Sequence, residues 1–135
     1  MDVIISKIES MERCISRVYE EYDGNRLNLG NYTKQDSIVL NIQRACELSI
    51  DIGNYIISMN KFRTPRVSRD VFIILMENNV IDQSLSINLQ KMVGFRNIAV
   101  HDYQQINVSI LESIINHNIE DFKKFTSSAL SYMEK

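Results

Sequence analysis

Apolar side chains recur every three or four positions along most of this chain, which is the spacing of one face of an α-helix. The first stripe consists of Ile4, Ile8, Met11, Ile15, Val18 and Tyr22. Further stripes with the same spacing start at Ile38, Val71, Leu85 and Val108. One proline and four glycines leave few breaks in 135 residues, which favours long helices over a turn-rich β fold. The pattern predicts an all-α fold, an antiparallel bundle of about five helices in one domain, residues 1–135.

Polar residues with short side chains mark where these helices should begin. Thr33 and Ser68 are the predicted N-caps of the second and third helices, because a hydroxyl can accept a hydrogen bond from a free backbone N–H of the first turn. Asp82 or Ser84 should start the fourth helix, and Asn107 should cap a long final helix.

Composition and charge restrict the class of protein. The net charge of −2 argues against a general nucleic-acid binder, but it leaves room for an enzyme with a local basic site. No apolar run approaches the ~18 residues that a membrane span needs, and the N-terminus lacks a secretory pattern. Cys14 and Cys46 belong to no paired motif, so free buried thiols are expected. These features predict a cytoplasmic protein that does not enter the membrane.

An arginine, a histidine and a tyrosine come together in the run Arg-Asn-Ile-Ala-Val-His-Asp-Tyr, residues 96–103. The apolar stripe Leu85–Leu89–Met92 leads directly onto Arg96, where a charge is costly unless it is paired or lines a cleft. The alternative is that the helix bends or ends there and that Arg96 reaches solvent along its apolar stem.

The residue types in this run are sufficient for cutting RNA without a metal. His101 can transfer a proton near neutral pH, and Arg96 can bind phosphate oxygens bidentately. Five residues separate them, so their directions differ by ~140° in a regular helix. They converge only if the helix unwinds near Val100 or if a partner subunit brings a second copy. Asn97 lies four residues from His101 and could share its helix face and a hydrogen bond, and Asp102 could orient the imidazole.

Two acidic residues, Glu47 and Asp51, lie four positions apart on the second helix. They could position Arg96. The alternatives are a solvated stripe and a structural ion pair with Arg44.

The only marked basic cluster consists of Lys61, Arg63, Arg66 and Arg69. It could guide RNA or receive an acidic partner, although a solvated loop between helices is the default interpretation. His117 is the only other histidine, and no metal-ligand spacing, glycine-rich phosphate loop or nucleophile motif is found. The sequence therefore predicts no metal and no cofactor.

The pattern Arg96-x4-His101-x-Tyr103 resembles the signature of HEPN-superfamily ribonucleases and, more narrowly, of the HepT toxin family. Residues 36–47 and 91–101 are also similar to segments of that family. The resemblance implies a homodimer with an active cleft at its interface, and cleavage of an RNA substrate, tRNA or mRNA, by Arg96 and His101. It also implies an MntA-like minimal nucleotidyltransferase antitoxin that transfers AMP to Tyr103.

Two other functional classes compete with a ribonuclease. A non-catalytic helical partner of a nucleotidyltransferase would use the same polar cluster for docking. A DNA-binding repressor is the weaker alternative, because the chain is acidic and offers no evident basic recognition helix.

Overall fold

The computed structural model describes all 135 residues, and every regular element in it is helical. The helices are α1 (Asp2–Tyr22), α2 (Tyr32–Met59), α3 (Ser68–Glu77), α4 (Gln83–His101), α5 (Val108–Ser113) and α6 (Ile119–Met133). A π-helical turn (Ile114–Asn118) joins α5 to α6, so these form one long final helix. Short 3-10 turns cover Arg26–Gly30 and Tyr103–Gln105. The predicted bundle of about five helices is confirmed.

Contacts between helices show that neighbours run antiparallel. Lys7, near the start of α1, pairs with Asp51, near the end of α2, at 3.3 Å. The Ser86 hydroxyl, in the first turn of α4, donates to the Phe72 carbonyl of α3 at 2.9 Å. Phe72 also meets Phe125 of α6 edge to face, with ring centroids 5.7 Å apart. Buried apolar side chains from all the helices form one continuous core. None of the helices has the length and apolar character needed to cross a membrane.

The helix caps partly follow the sequence prediction. Asp82 and Asn107 accept hydrogen bonds from first-turn N–H groups at 2.8 and 3.0 Å, as expected. The prediction for Thr33 is wrong, because the Asn31 side chain caps α2. The prediction for Ser68 is also wrong, because Val67 is the N-cap of α3 and offers no side-chain hydrogen bond. Ser68 is instead the first residue of α3, and its hydroxyl is free for another partner.

A glycine allows α2 and α3 to approach closely. A Cβ added at Gly53 would lie 2.3 Å from Cγ1 of Val71, far inside van der Waals contact. The close approach brings the first turn of α3 beside α2 and α4, where Ser68 and Arg96 meet.

Candidate active site

The fourth helix stays regular through the whole Arg96–His101 interval. The backbone N–H of Asp102 still donates to the carbonyl of Ile98 at 2.8 Å, so the helix does not unwind near Val100. Arg96 and His101 therefore point ~140° apart around α4. The unwinding that could have brought the two residues together within one chain is therefore absent.

Arg96 lies half-buried between α2 and α3, so the helix neither ends nor bends to release it into solvent. Its Nη2 donates to Oγ of Ser68 at 3.2 Å, and its Nε is buried without a hydrogen-bond partner. No carboxylate forms an ion pair with it. Burial raises the pKa of the neighbouring Cys46 thiol to about 12, and the positive charge of Arg96 opposes that rise. The Arg96 charge is thus uncompensated within the chain, as an anion-binding residue requires.

His101 is exposed at the last residue of α4, and no hydrogen bond within the chain holds its imidazole. Asn97 shares its helix face by spacing, but the expected hydrogen bond between the two side chains is not formed. Asp102 is the C-cap of α4, and its carboxylate makes neither a hydrogen bond nor an ion pair. The orienting roles considered for Asn97 and Asp102 are therefore not carried by contacts in the single chain.

Tyr103 opens the 3-10 turn that follows α4, and its hydroxyl donates a hydrogen bond to Oδ1 of Asp36 on α2. Burial raises the pKa of the Tyr103 phenol above its usual value of 10.0, and the adjacent Asp36 carboxylate raises it further. The phenol is therefore neutral at physiological pH. Its side chain remains 38% exposed, which leaves it within reach of a second protein.

The two acidic residues on α2 do not reach Arg96. The Glu47 carboxylate accepts a hydrogen bond from Gln43 at 3.1 Å, and Asp51 pairs with Lys7. Neither forms an ion pair with Arg44. Neither the contact with Arg96 nor the ion pair with Arg44 that the sequence suggested is therefore present.

The basic cluster is divided among different surroundings. Arg63 forms an ion pair with Glu77 at 2.8 Å, while the exposed side chains of Lys61 and Arg66 form no ion pair. The backbone N–H of Arg66 donates to the Asp70 carboxylate at 2.9 Å. Arg69 turns towards α4 and lies 3.0 Å from the position of a Cβ at Gly94.

Arg69 also borders a groove along α4 with a volume of about 600 Å³. Its apolar lining comes from both α4 and the final helix, with Ile98 and Ile110 exposed by 41% and 38%. Lys91 and Asn97 lie on the same rim.

Comparisons with known proteins decide the family. The ribonuclease HepT-like family matches residues 2–129. The chain is 49% identical over 125 residues to the mRNA nuclease HepT of Shewanella oneidensis, covering 92% of this chain and 93% of that protein. This protein belongs to the ribonuclease HepT-like family. The family resemblance seen in the motif of residues 96–103 is confirmed.

Two solved structures related to this HepT-like chain have the same fold. One is the tri-AMPylated Shewanella oneidensis HEPN toxin in complex with MNT antitoxin, with 45% identity and a TM-score of 0.92. The likeness covers 97% of this chain and 98% of that chain. The other is a toxin–antitoxin with AMP-PNP, also 45% identical, with a TM-score of 0.91 and coverage of 97% and 99%.

Two residues of this HepT-like chain join the site in the structure although the sequence did not single them out for it. Ser68 contacts Arg96 from 28 residues away, and Asp36 contacts Tyr103 from 67 residues away. Both contacts depend on how the helices pack. Lys91 lies with Arg69 on the rim of the groove, whose lining does not include Arg96, His101 or Tyr103. No three His, Cys, Asp or Glu side chains come close enough together to hold a metal ion.

Proposed function

We propose that this protein is a cytoplasmic toxin that cleaves RNA without a metal, and that Arg96 and His101 are its catalytic residues. The observation that carries the proposal is the half-buried Arg96 guanidinium, which Ser68 holds and no carboxylate neutralises. A phosphate group would supply the missing negative charge, and a planar guanidinium binds it bidentately. The relative at 49% identity is an mRNA nuclease, which favours an RNA phosphate.

The proposed reaction uses the ribose 2′-hydroxyl of the RNA as the nucleophile. The 2′-hydroxyl gives up its proton as its oxygen bonds to phosphorus, the bond from phosphorus to the 5′-oxygen breaks, and the leaving 5′-oxygen takes up a proton. His101 accepts or donates one of these protons, a transfer worth about 10²–10⁴-fold in rate. Arg96 stabilises the charge that develops on the phosphoryl oxygens.

A second copy of the chain completes this site. Arg96 and His101 point to different sides of α4, so a site that contains both residues needs two chains. A homodimer with α4 near its two-fold axis would supply His101 from the partner. The α4 surface beside His101 exposes Ile98 and Val100 by 41% and 48%, and burial of such residues favours association. Arg69 and Lys91, on the groove rim, would contact the RNA backbone.

The proposed partner is an MntA-like nucleotidyltransferase antitoxin that transfers AMP to Tyr103. Solved relatives include an AMPylated toxin bound to its antitoxin. Tyr103 is partly exposed and follows His101 by two residues. An attached AMP would add bulk and a negative charge where the RNA phosphate has to bind, and would block cleavage.

RNA cleavage by purified, unmodified protein tests the proposal. Total tRNA and an mRNA are incubated with the unchanged protein, His101→Ala and His117→Ala in the presence of a chelator. We expect cleavage by the unchanged protein and by His117→Ala, whose exposed imidazole lies in the π-helical turn, but none by His101→Ala. Intact mass shows that no AMP is present. Equal cleavage by all three proteins, or none by an unmodified sample, would contradict the assignment and favour a non-catalytic binding partner.

A further inference from the structure

The side chain that meets Tyr103 is a carboxylate with no other partner. Asp36 lies in the second turn of α2 and accepts the hydrogen bond of the Tyr103 phenol. It forms no ion pair and no second hydrogen bond. Lys34, the nearest cation in sequence, points elsewhere, because its Nζ donates to Asn28 at 3.2 Å. No other side chain therefore competes with the phenol for the Asp36 carboxylate.

A neutral phenol is a weak nucleophile, and this one is harder to ionise than most. Burial and the Asp36 charge both raise the pKa of Tyr103 above 10.0. Ionisation before the reaction would thus leave very little phenolate near neutral pH. Nucleotide transfer to this oxygen requires that the proton leaves as the new bond forms, to a base already in hydrogen-bond contact. The structure contains one such base, and it is Asp36.

We propose that Asp36 is the general base for AMP transfer to Tyr103, so that the acceptor protein supplies this catalytic group itself. The inference rests on the proposed modification of Tyr103 by a nucleotidyltransferase that holds ATP. In the step, the phenolic oxygen bonds to the α-phosphorus of ATP and its proton moves to the Asp36 carboxylate. The bond from that phosphorus to the bridging oxygen breaks, and pyrophosphate leaves with the bonding electrons. Asp36 then returns the proton to water.

The position of Asp36 fits this role better than a structural one. Both side chains are on the surface, where a single hydrogen bond contributes little to stability. The base also lies on α2, whereas the acceptor lies on the turn after α4, so the partner can approach the phenol without displacing Asp36. A surface hydrogen bond that served packing alone would not require a carboxylate.

The experiment measures the rate of AMP addition to the full-length, unmodified protein by its nucleotidyltransferase and ATP. Intact mass follows the transfer, and peptide mapping assigns it to Tyr103. We expect Asp36→Asn to lower kcat by about 100-fold or more, the usual contribution of a general base. The KM for the acceptor should change little. The remaining rate should rise about tenfold per pH unit, because hydroxide has to replace the carboxylate.

Two further variants separate proton transfer from folding and charge. Asp36→Glu keeps a carboxylate and should therefore retain most of the rate of AMP transfer, whereas the amide of Asp36→Asn cannot act as a base. If Asp36→Asn melts at a lower temperature, the rate of Asp36→Glu shows whether the carboxylate is needed. Glu12→Gln removes an exposed acidic charge from α1 and should be modified like the unchanged protein.

Three results would overturn the inference. The first is modification of Asp36→Asn at the unchanged rate. The second is a loss in Asp36→Asn that comes only from a raised KM, which would make Asp36 a docking residue. The third is an Asp36→Glu as slow as a well-folded Asp36→Asn, which would remove the need for a carboxylate. Failure of the proposed function is distinguishable from all of these: the unchanged protein would then gain no AMP on Tyr103, and the role of Asp36 would fall with it.

Discussion

Replacing Ser68 by alanine should weaken catalysis without weakening the fold. The Ser68 hydroxyl accepts the only hydrogen bond that the Arg96 side chain makes within the chain, at 3.2 Å. It does not cap α3, because Val67 is the N-cap residue. The substitution therefore removes a restraint on the guanidinium and leaves the helix start unchanged.

The expected size of the loss follows from the exposure of this contact. A hydrogen bond to a charged group is worth about 1.5–3 kcal/mol when it is well shielded. Ser68 and Arg96 are only half-buried, so water can partly replace the hydroxyl, and about 1 kcal/mol is a reasonable value. That free energy corresponds to a fall of about fivefold in kcat for RNA cleavage. The free energy of unfolding should change by less than about 0.5 kcal/mol.

Steady-state cleavage of a defined RNA and chemical denaturation measure the two quantities. Ser84→Ala is the matched control, because Ser84 is also a first-turn helix serine but is exposed and makes no side-chain hydrogen bond. A loss of kcat in Ser84→Ala equal to that in Ser68→Ala, or a clear loss of stability in Ser68→Ala with unchanged kcat, would refute this reasoning.

Three further expectations concern packing and titration. Gly53→Ala should lower the free energy of unfolding by about 1–3 kcal/mol in denaturant titration, because its Cβ would overlap α3, whereas Gly30→Ala, with open space around it, should not. The pKa of Tyr103 is raised in the folded protein, so the contribution of the neutral phenol to stability is fully present below pH 10.0 and is lost as pH rises through the folded pKa. Tyr103→Phe should remove that part of the alkaline loss of stability, and an unchanged alkaline profile would contradict it. The pKa of Cys46 is about 12 and its side chain is fully buried, so a thiol reagent at pH 8 should modify it only after unfolding; rapid reaction with the folded protein would contradict this.

Local patterns in the sequence predicted the helices well because each helix carries its own apolar stripe. The caps at Asp82 and Asn107 followed from the same local rules. The prediction for Thr33 was wrong because Asn31, two residues earlier, caps α2, and asparagine is preferred over threonine as an N-cap. The prediction of Ser68 as an N-cap was wrong because its hydroxyl instead accepts a hydrogen bond from Arg96 of α4.

The motif residues themselves were visible in the sequence, whereas their surroundings were not. The place of Arg96 on an apolar stripe is a local property of the sequence, and it marks this arginine as unusual. Its partner Ser68 and the Asp36–Tyr103 contact join distant parts of the chain, so they depend on the packing of α2, α3 and α4. The partner of Asp51 shows the same dependence on packing. The sequence suggested that Asp51 contacts Arg96 or Arg44, but in the structure it forms an ion pair with Lys7 of α1.

Complementation between two inactive proteins tests most directly whether the site is built from two protomers. Arg96→Ala and His101→Ala are each purified and then dissociated and reassembled together. Because α4 holds the two residues on different sides of one chain, each composite site takes Arg96 from one protomer and His101 from the other. A mixed dimer then regains one intact site, and an equal mixture should recover about one quarter of the unchanged cleavage rate. No recovery in a sample that contains mixed dimers would contradict the account, because both residues would then act from the same protomer.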